Sequence, residues 1–246
     1  MNNLEKTVYL LKNSKNITVL SGAGMSTNAG IADFRGPNGI YTRADIDYPE
    51  RIFDFEYFKK DPHLFYKFHR EFLKTIENAV PTFTHEFLLK LEKEGKIKSI
   101  ITQNIDSLHQ KAGSEKVLEI HGGVINNYCI ECHKFFSYEV LKEKLKSEDI
   151  PKCDCGGVIK PDIVFFGEMV KSLDQCQKQV QDSDLLIILG SSLTVTPAAF
   201  LPSYAGGKII IVNKGDISFF YVPEKKLEVY ENNDIDSFFK KISNLY

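Results

Sequence analysis

Residues 17–36 read ITVLSGAGMSTNAGIADFRG. Ile17-Thr18-Val19-Leu20 is a buried-strand signal that runs directly into Gly22-Ala23-Gly24. An apolar run that stops at close-set glycines marks a parallel strand whose backbone turns tightly and approaches a ligand. A helix after such a turn points its N-terminal amides at an anion, most often a phosphate. The dinucleotide fingerprint places its third glycine three residues after the second, and that position is Thr27 here. The chain runs on instead to Gly30 and Ala32-Asp33-Phe34-Arg35-Gly36, which sets an acid, an aromatic ring and a guanidinium in one loop-like segment. Taken alone, the glycine turn is equally a plain strand-to-helix corner.

Four further apolar runs end in the same manner. Pro81 to Lys93 is an amphipathic helix with Phe83, Phe87, Leu88 and Leu91 on one stripe, stopped by Gly95. Ile97 to Thr102 is the next strand, closed by Gln103-Asn104-Ile105-Asp106, and Val117 to Ile120 is a third, closed by His121-Gly122-Gly123. Leu185 to Leu189 is the clearest buried strand and ends in Gly190-Ser191-Ser192; Ile209 to Val212 ends in Asn213-Lys214. Strand and helix in alternation predict a parallel sheet covered by helices, with ligands at the carboxyl ends of its strands. A lone histidine is commonly structural. His121 gains weight from its place at a strand end, since an imidazole accepts a proton near neutral pH.

Two stretches depart from this alternation. Phe53 to Phe72 is unusually aromatic, and with Asp61-Pro62 as a helix start it reads as a small helical insertion able to cover a ligand, or as aromatic packing alone. Cys129-Ile130-Glu131-Cys132 and Cys153-Asp154-Cys155 are two close cysteine pairs, the pattern of a tetrahedral structural Zn²⁺ site. Four cysteines are the expected ligands, with His133 the alternative for one position. A site with four protein ligands holds structure together and does no chemistry. Cys176 reads as an ordinary helix thiol. Helices are also expected after Asn2 and Asn3 and over Ile235 to Leu245.

The 246 residues and 43% hydrophobic content suit one large domain with a smaller one. Lys+Arg 31 against Asp+Glu 33, with no long single-sign block, gives no electrostatic case for nucleic acid. No apolar run approaches the ~18 residues of a membrane span, and the N-terminus lacks a signal-peptide core. A cytoplasmic location is expected.

The motifs above, in this order, resemble the sirtuins, the NAD-dependent protein deacylases. The likeness runs from Leu20 to Asn213 and rests on Gly22-Ala23-Gly24 with Ser26, Gly30 to Arg35, Gln103 to Asp106, His121-Gly122, the cysteine pairs, Val164 to Glu168, and Gly190 to Leu193. The resemblance implies an α/β fold: a Rossmann-like, doubly wound parallel sheet (1–40, 79–125 and 158–246), with a smaller domain made of a helical module (41–78) and a zinc-binding module (126–157). It implies NAD as co-substrate in the cleft and acylated-lysine proteins as partners. The acyl group moves from lysine to ADP-ribose with release of nicotinamide. A monomer is expected.

By the same resemblance His121 is the catalytic base. Gly22, Ala23, Gly24, Ser26, Asp33, Phe34, Arg35, Gln103, Asn104, Ile105, Asp106, Gly190, Ser191, Ser192 and Asn213 bind the cofactor. Asn104 and Asp106 then face the nicotinamide carboxamide, Gln103 the ribose hydroxyls, and Asn213 the adenosine ribose. Phe34, Tyr66, His69, Val164, Phe166 and Gly167 bind substrate, with the peptide added as a strand to 164–167. Cys129, Cys132, Cys153 and Cys155 hold the metal. Ala32 stands where the family usually has Pro. Sirtuins that remove acidic acyl groups carry an Arg three residues after the tyrosine, and His69 stands there instead, which implies uncharged acyl groups. Long-chain or acidic acyl groups, and transfer of ADP-ribose to protein, are the alternatives on the same fold. A nicotinamide oxidoreductase or a zinc-ribbon nucleic-acid adaptor fits the motifs less well.

Overall fold

A computed structural model describes residues 1–34, 36, 39–42, 44 and 47–246. The strands are β1 (Ile17–Ser21), β2 (Ile97–Thr102), β3 (Val117–Glu119), β4 (Gly122–Cys129), β5 (Phe135–Ser137), β6 (Ile159–Ile163), β7 (Leu185–Leu189), β8 (Lys208–Val212) and β9 (Leu227–Glu231). The helices are α1 (Asn3–Asn13), α2 (Phe55–Lys60), α3 (His63–Asn78), α4 (Phe83–Lys93), α5 (Leu108–Ala112), α6 (Tyr138–Ser147), α7 (Leu173–Asp182) and α8 (Ile235–Leu245).

Six strands form one parallel sheet in the order β3-β2-β1-β7-β8-β9. Its central strands β1 and β7 are buried along their whole length because both faces are covered. Along β7, Leu185, Ile187 and Leu189 pack with α1, α4 and α8, while Leu186 and Ile188 pack with Cys176 and Val180 of α7. β8 divides in the same way, with Ile210 and Val212 on one face and Ile209 and Ile211 on the other. The period-2 alternation of side chains accounts for both cores.

The strand order reverses between β1 and β7. Crossovers run one way to β2 and β3, then return to β7 and on to β8 and β9. Such a switch point opens a crevice at the strands' carboxyl ends, and the loops after β1, β2, β3, β7 and β8 all converge there. β4, β5 and β6 form a separate antiparallel sheet. A third core, rich in aromatic rings, joins α3 to Phe53, Phe58 and Phe165.

Helix ends follow local chemistry. α1 begins with a capping box in which Asn2 accepts from Glu5 N–H at 2.9 Å and Glu5 accepts from Asn2 N–H at 3.1 Å. Among the described residues no helix is long and apolar enough to cross a membrane.

Candidate active site

The turns after β1 and β7 nest on their glycines. Gly22 N–H donates to Leu189 O and Gly24 N–H to Gly190 O, both at 2.9 Å. A Cβ on Gly22 would lie 2.7 Å from Gly190 O, and one on Gly24 2.8 Å from Gly190 Cα. Gly190, at φ 63°, would bring its Cβ within 2.3 Å of Met25 N. Close backbone approach is therefore what these glycines provide. The α-helix expected after Gly24 is absent: two single 3₁₀ turns, Ala23–Met25 and Thr27–Ala29, follow, and Gly30 ends them at φ 82°. The chain bends to bring Ser26 onto the β2 loop, and continuing α-helical hydrogen bonding would carry it away. Any phosphate contact here comes from turn amides.

Behind that turn lies a buried polar cluster. Ser26 Oγ–H donates to Asp106 Oδ2 at 2.6 Å, and Leu108 N–H donates to Oδ1 at 2.9 Å. Burial raises the Asp106 carboxyl above its usual range, opposed by those hydrogen bonds. Asn104 gives both of its amide hydrogens to the chain, to Gly22 O and Ser26 Oγ at 3.1 Å each. Only its carbonyl oxygen is left to face a ligand, which narrows the role expected for it. Gln103 donates from Nε2 to Ser191 Oγ at 2.9 Å and so joins the loops after β2 and β7. Asn213 is buried and bonds to Gly215 O and Asp216 O at 3.3 and 3.4 Å. Ser192 Oγ lies 2.9 Å from Thr194 Oγ1, Ile105 packs in the aromatic core, and Asp33 accepts from Gly36 N–H at 2.8 Å. Arg35 lies outside the described residues.

His121 follows the end of β3. Its Nδ1 lies 3.0 Å from Gln103 O. A carbonyl only accepts, so Nδ1 carries the proton and Nε2 keeps its lone pair. Burial lowers the imidazole's proton affinity, and the bond to Gln103 partly offsets this. Val164 N–H donates to His121 O at 2.8 Å and draws the segment after β6 alongside.

That segment is already partly bonded. Phe166 N–H donates to Phe53 O at 2.7 Å, Phe55 N–H to Phe166 O at 3.1 Å, and Phe165 N–H to Glu168 Oε2 at 2.8 Å. The strand addition expected over 164–167 therefore narrows to the edge around Gly167, whose φ is 96°. Phe34 meets Tyr41 at a tilt and Phe53 edge-on, with centroids 5.5 and 5.8 Å apart.

Tyr66 and His69 lie deeper than expected. The Tyr66 hydroxyl is fully buried and donates to Ile159 O. His69 is 0% exposed, stacks on Phe65 at 4.9 Å, and is held neutral by burial with its pKa down to about 3. Both belong to the aromatic core. They are fully buried because helix α3 turns its apolar stripe, and these two residues with it, toward Phe53, Phe58 and Phe165. Arg70 is committed to the carbonyls of Tyr66, Leu145, Glu148 and Asp149.

The sulfur atoms of Cys129, Cys132, Cys153 and Cys155 all lie within 4.8 Å of one another, with Cys129–Cys155 at 3.5 Å and Cys132–Cys153 at 3.6 Å. A tetrahedral Zn²⁺ with ~2.3 Å bonds to sulfur separates its ligands by about 3.8 Å, so four thiolates fit a closed structural site. His133 stands outside this group.

Sequence reading passed over Lys160 and the buried pair His85 and His109, whose rings are 4.7 Å apart. A lysine between Ile159 and Pro161 was the available signal for the first. Nothing local marks the second, because α4 and α5 meet only in the fold.

A doubly wound parallel sheet with glycine turns at its switch point, a polar cluster behind them and a four-cysteine insertion defines a nucleotide-binding α/β protein carrying a structural metal module. A profile of the Sir2 family matches residues 22–197, and the chain belongs to that family. An NAD-dependent protein deacetylase of Thermotoga maritima is 43% identical over 245 residues, covering 97% of this chain and 96% of its own. One from Saccharolobus solfataricus is 45% identical over 213 residues, 85% of each chain. A Sir2 structure with a deacetylated peptide and 3′-O-acetyl ADP ribose superposes with a TM-score of 0.90 at 40% identity, covering 99% of this chain and 98% of that one.

Proposed function

We propose that this protein is an NAD-dependent protein lysine deacylase, with His121 as general base and a preference for uncharged acyl groups. The observation that carries the reading is the tautomer of His121: Nδ1–H is fixed on Gln103 O, which presents an Nε2 lone pair among the loops of the switch point. Curated relatives that cover nearly this whole chain are NAD-dependent protein deacetylases, and two Sir2 structures, each at 38% identity, hold a propionylated and an acetylated peptide.

NAD⁺ enters as co-substrate and supplies an electrophilic ribose carbon when its bond to nicotinamide breaks. Gly22, Gly24 and Gly190 leave the space its phosphates need, Ala23 and the Ser191–Ser192 loop face them, Ser26 supports the turn from behind through Asp106, and Gln103 and Asn213 hold its riboses. Asp33, Phe34, Arg35, Ile105 and Asp106, with the carbonyl of Asn104, surround the nicotinamide end. The lysine's acyl oxygen bonds to the ribose carbon as nicotinamide leaves, His121 Nε2 takes the proton of the ribose hydroxyl that attacks the acyl carbon, the carbon–nitrogen bond breaks as lysine departs with a proton, and one water adds to the acyl carbon. Lysine, nicotinamide and O-acyl-ADP-ribose result. Phe34, Val164, Phe166 and Gly167 flank the acyl-lysine, while Tyr66 and His69 form the wall behind. Among the described residues of that wall no cation meets an acyl carboxylate, since His69 is neutral and Arg70 is bonded to carbonyls.

Mass spectrometry of the protein with NAD⁺ and acetyl-, succinyl- and myristoyl-lysine peptides tests the reading. Loss of acetyl with appearance of O-acetyl-ADP-ribose, and a succinyl peptide left largely intact, is expected. Intact acyl peptides that gain the mass of ADP-ribose would replace the reading with protein ADP-ribosylation.

A further inference from the structure

Lys160 stands inside β6, flanked by Ile159 and Pro161. Its side chain is 8% exposed. Nζ donates to Ile163 O at 2.6 Å and Pro161 O at 3.4 Å, and pairs with Glu168 Oε2 at 2.8 Å. The ammonium also sits 4.0 Å from the centroid of the Phe165 ring. Glu168 closes the turn from its other end: Oε2 accepts Phe165 N–H at 2.8 Å, and Glu168 N–H returns to Phe165 O at 3.0 Å. One buried cation thus ties together the end of β6, the Phe165 ring and Glu168.

Between those tie points lies the segment 164–167. Its first residue bonds to the carbonyl of His121, and Phe166 bridges to Asp54 of the aromatic insertion. Phe166 is 48% exposed although Phe165 beside it is buried. A buried ion pair is a poor source of stability, because an apolar side chain of similar shape holds a core as well. What an ammonium adds is geometry: several donors at one point, each needing its acceptor in place.

We propose that Lys160 is a positioning residue for substrate: its brace to Ile163 and Glu168 sets the 164–167 edge against which the acyl-lysine segment lies. This rests on the deacylase reading above. His121 is oriented separately by Gln103, so the brace acts on peptide binding and leaves NAD⁺ binding alone.

The test uses the full chain with its metal. Binding of an acetyl-lysine peptide and of NAD⁺ is measured separately by calorimetry, with steady-state kinetics alongside, for wild type, K160M, K160R and K160M/E168Q. The double variant removes the carboxylate that K160M would leave buried and unpaired, so it keeps the test open if K160M does not fold. We expect peptide affinity to fall about tenfold or more in K160M and in the double variant, with KM for peptide rising in parallel and kcat within about threefold. NAD⁺ affinity stays within about twofold, and K160R recovers most of the loss. A folded double variant with wild-type peptide affinity overturns the proposal, as does one that loses NAD⁺ and peptide affinity together. If wild type itself binds no acetyl-lysine peptide, the deacylase reading falls first, and the proposal with it.

Discussion

The imidazole of His121, carried at the end of β3, is oriented by the main-chain carbonyl of Gln103 at the end of β2, 3.0 Å from Nδ1. Strand pairing sets that distance, because β2 and β3 are neighbours in register from Ile100–Val117 to Thr102–Glu119. No side chain intervenes, so substitution at Gln103 leaves the tautomer unchanged. His121→Ala should reduce deacylation by about 10²–10⁴-fold, with metal content and melting temperature near wild type. Since burial lowers the His121 pKa, the acid limb of kcat/KM should lie below the ordinary histidine value. A limb at or above that value, or an active His121→Ala, would remove His121 from the role of base.

Gly190→Ala places a Cβ where Met25 N and the carbonyl carbon of Gly24 already stand, at 2.3 and 2.5 Å, in a backbone region unfavourable to alanine. Both the strain and the clash act on backbone that has nowhere to move. Destabilisation of roughly 2–4 kcal/mol is expected, together with loss of NAD⁺ binding. Denaturant melts and cofactor titration of the same preparation check both. Gly215→Ala, also at positive φ but with open space around it, should cost only the backbone strain, about 1 kcal/mol.

Acid should unfold this protein through three buried histidines. His69 and His109 are lowered to about 3 and His85 to about 4, each first by burial. In the unfolded chain a histidine titrates near 6.5, so between these values the unfolded state binds more protons than the folded one. The stability from keeping them neutral is complete above about pH 6.5 and declines as pH falls toward the folded values. Each contributes about 1.4 kcal/mol per pH unit, so the three together give a slope of roughly 4 kcal/mol per unit between about pH 6 and 4. Chemical denaturation at a series of pH values measures it. His69→Phe should reduce the slope by about one third, and an unchanged slope would show that His69 is not among the groups responsible.

Removing the metal should act on the small sheet first. Cys129 ends β4, and Cys153 and Cys155 precede β6, so the four sulfurs close the loops between these strands. Chelation is expected to release one Zn²⁺ per chain and lower the melting temperature. Hydrogen exchange should rise in 126–160 before it rises in β1 or β7. Exchange that rises equally in the parallel sheet would mean that the metal supports the whole fold.

The sheet was legible in the sequence because strands buried on both faces are mostly apolar, and each ends in small or polar residues where the crevice lies. β1, β2, β7 and β8 needed nothing more, and the spacing of the cysteines announced the metal. β9 was missed although Leu227 and Val229 alternate with Glu228 and Tyr230, a pattern short enough to pass for loop. β4 was missed because Asn126 and Asn127 are poor strand formers held there by β5 and β6.

The sequence by itself determined which residues stand at the strand ends, since side-chain chemistry and chain continuity are local facts. Only the tertiary structure decided what those residues do to one another. It turned the expected helix after Gly24 into 3₁₀ turns, bonded both amide hydrogens of Asn104, and drew Tyr66 and His69 into a core. It also put Lys160 between Ile163 and Glu168. The physical reason is that hydrogen-bond satisfaction and burial are settled among groups distant in the chain, and a donor's partner is fixed only when the sheet brings its carboxyl ends together.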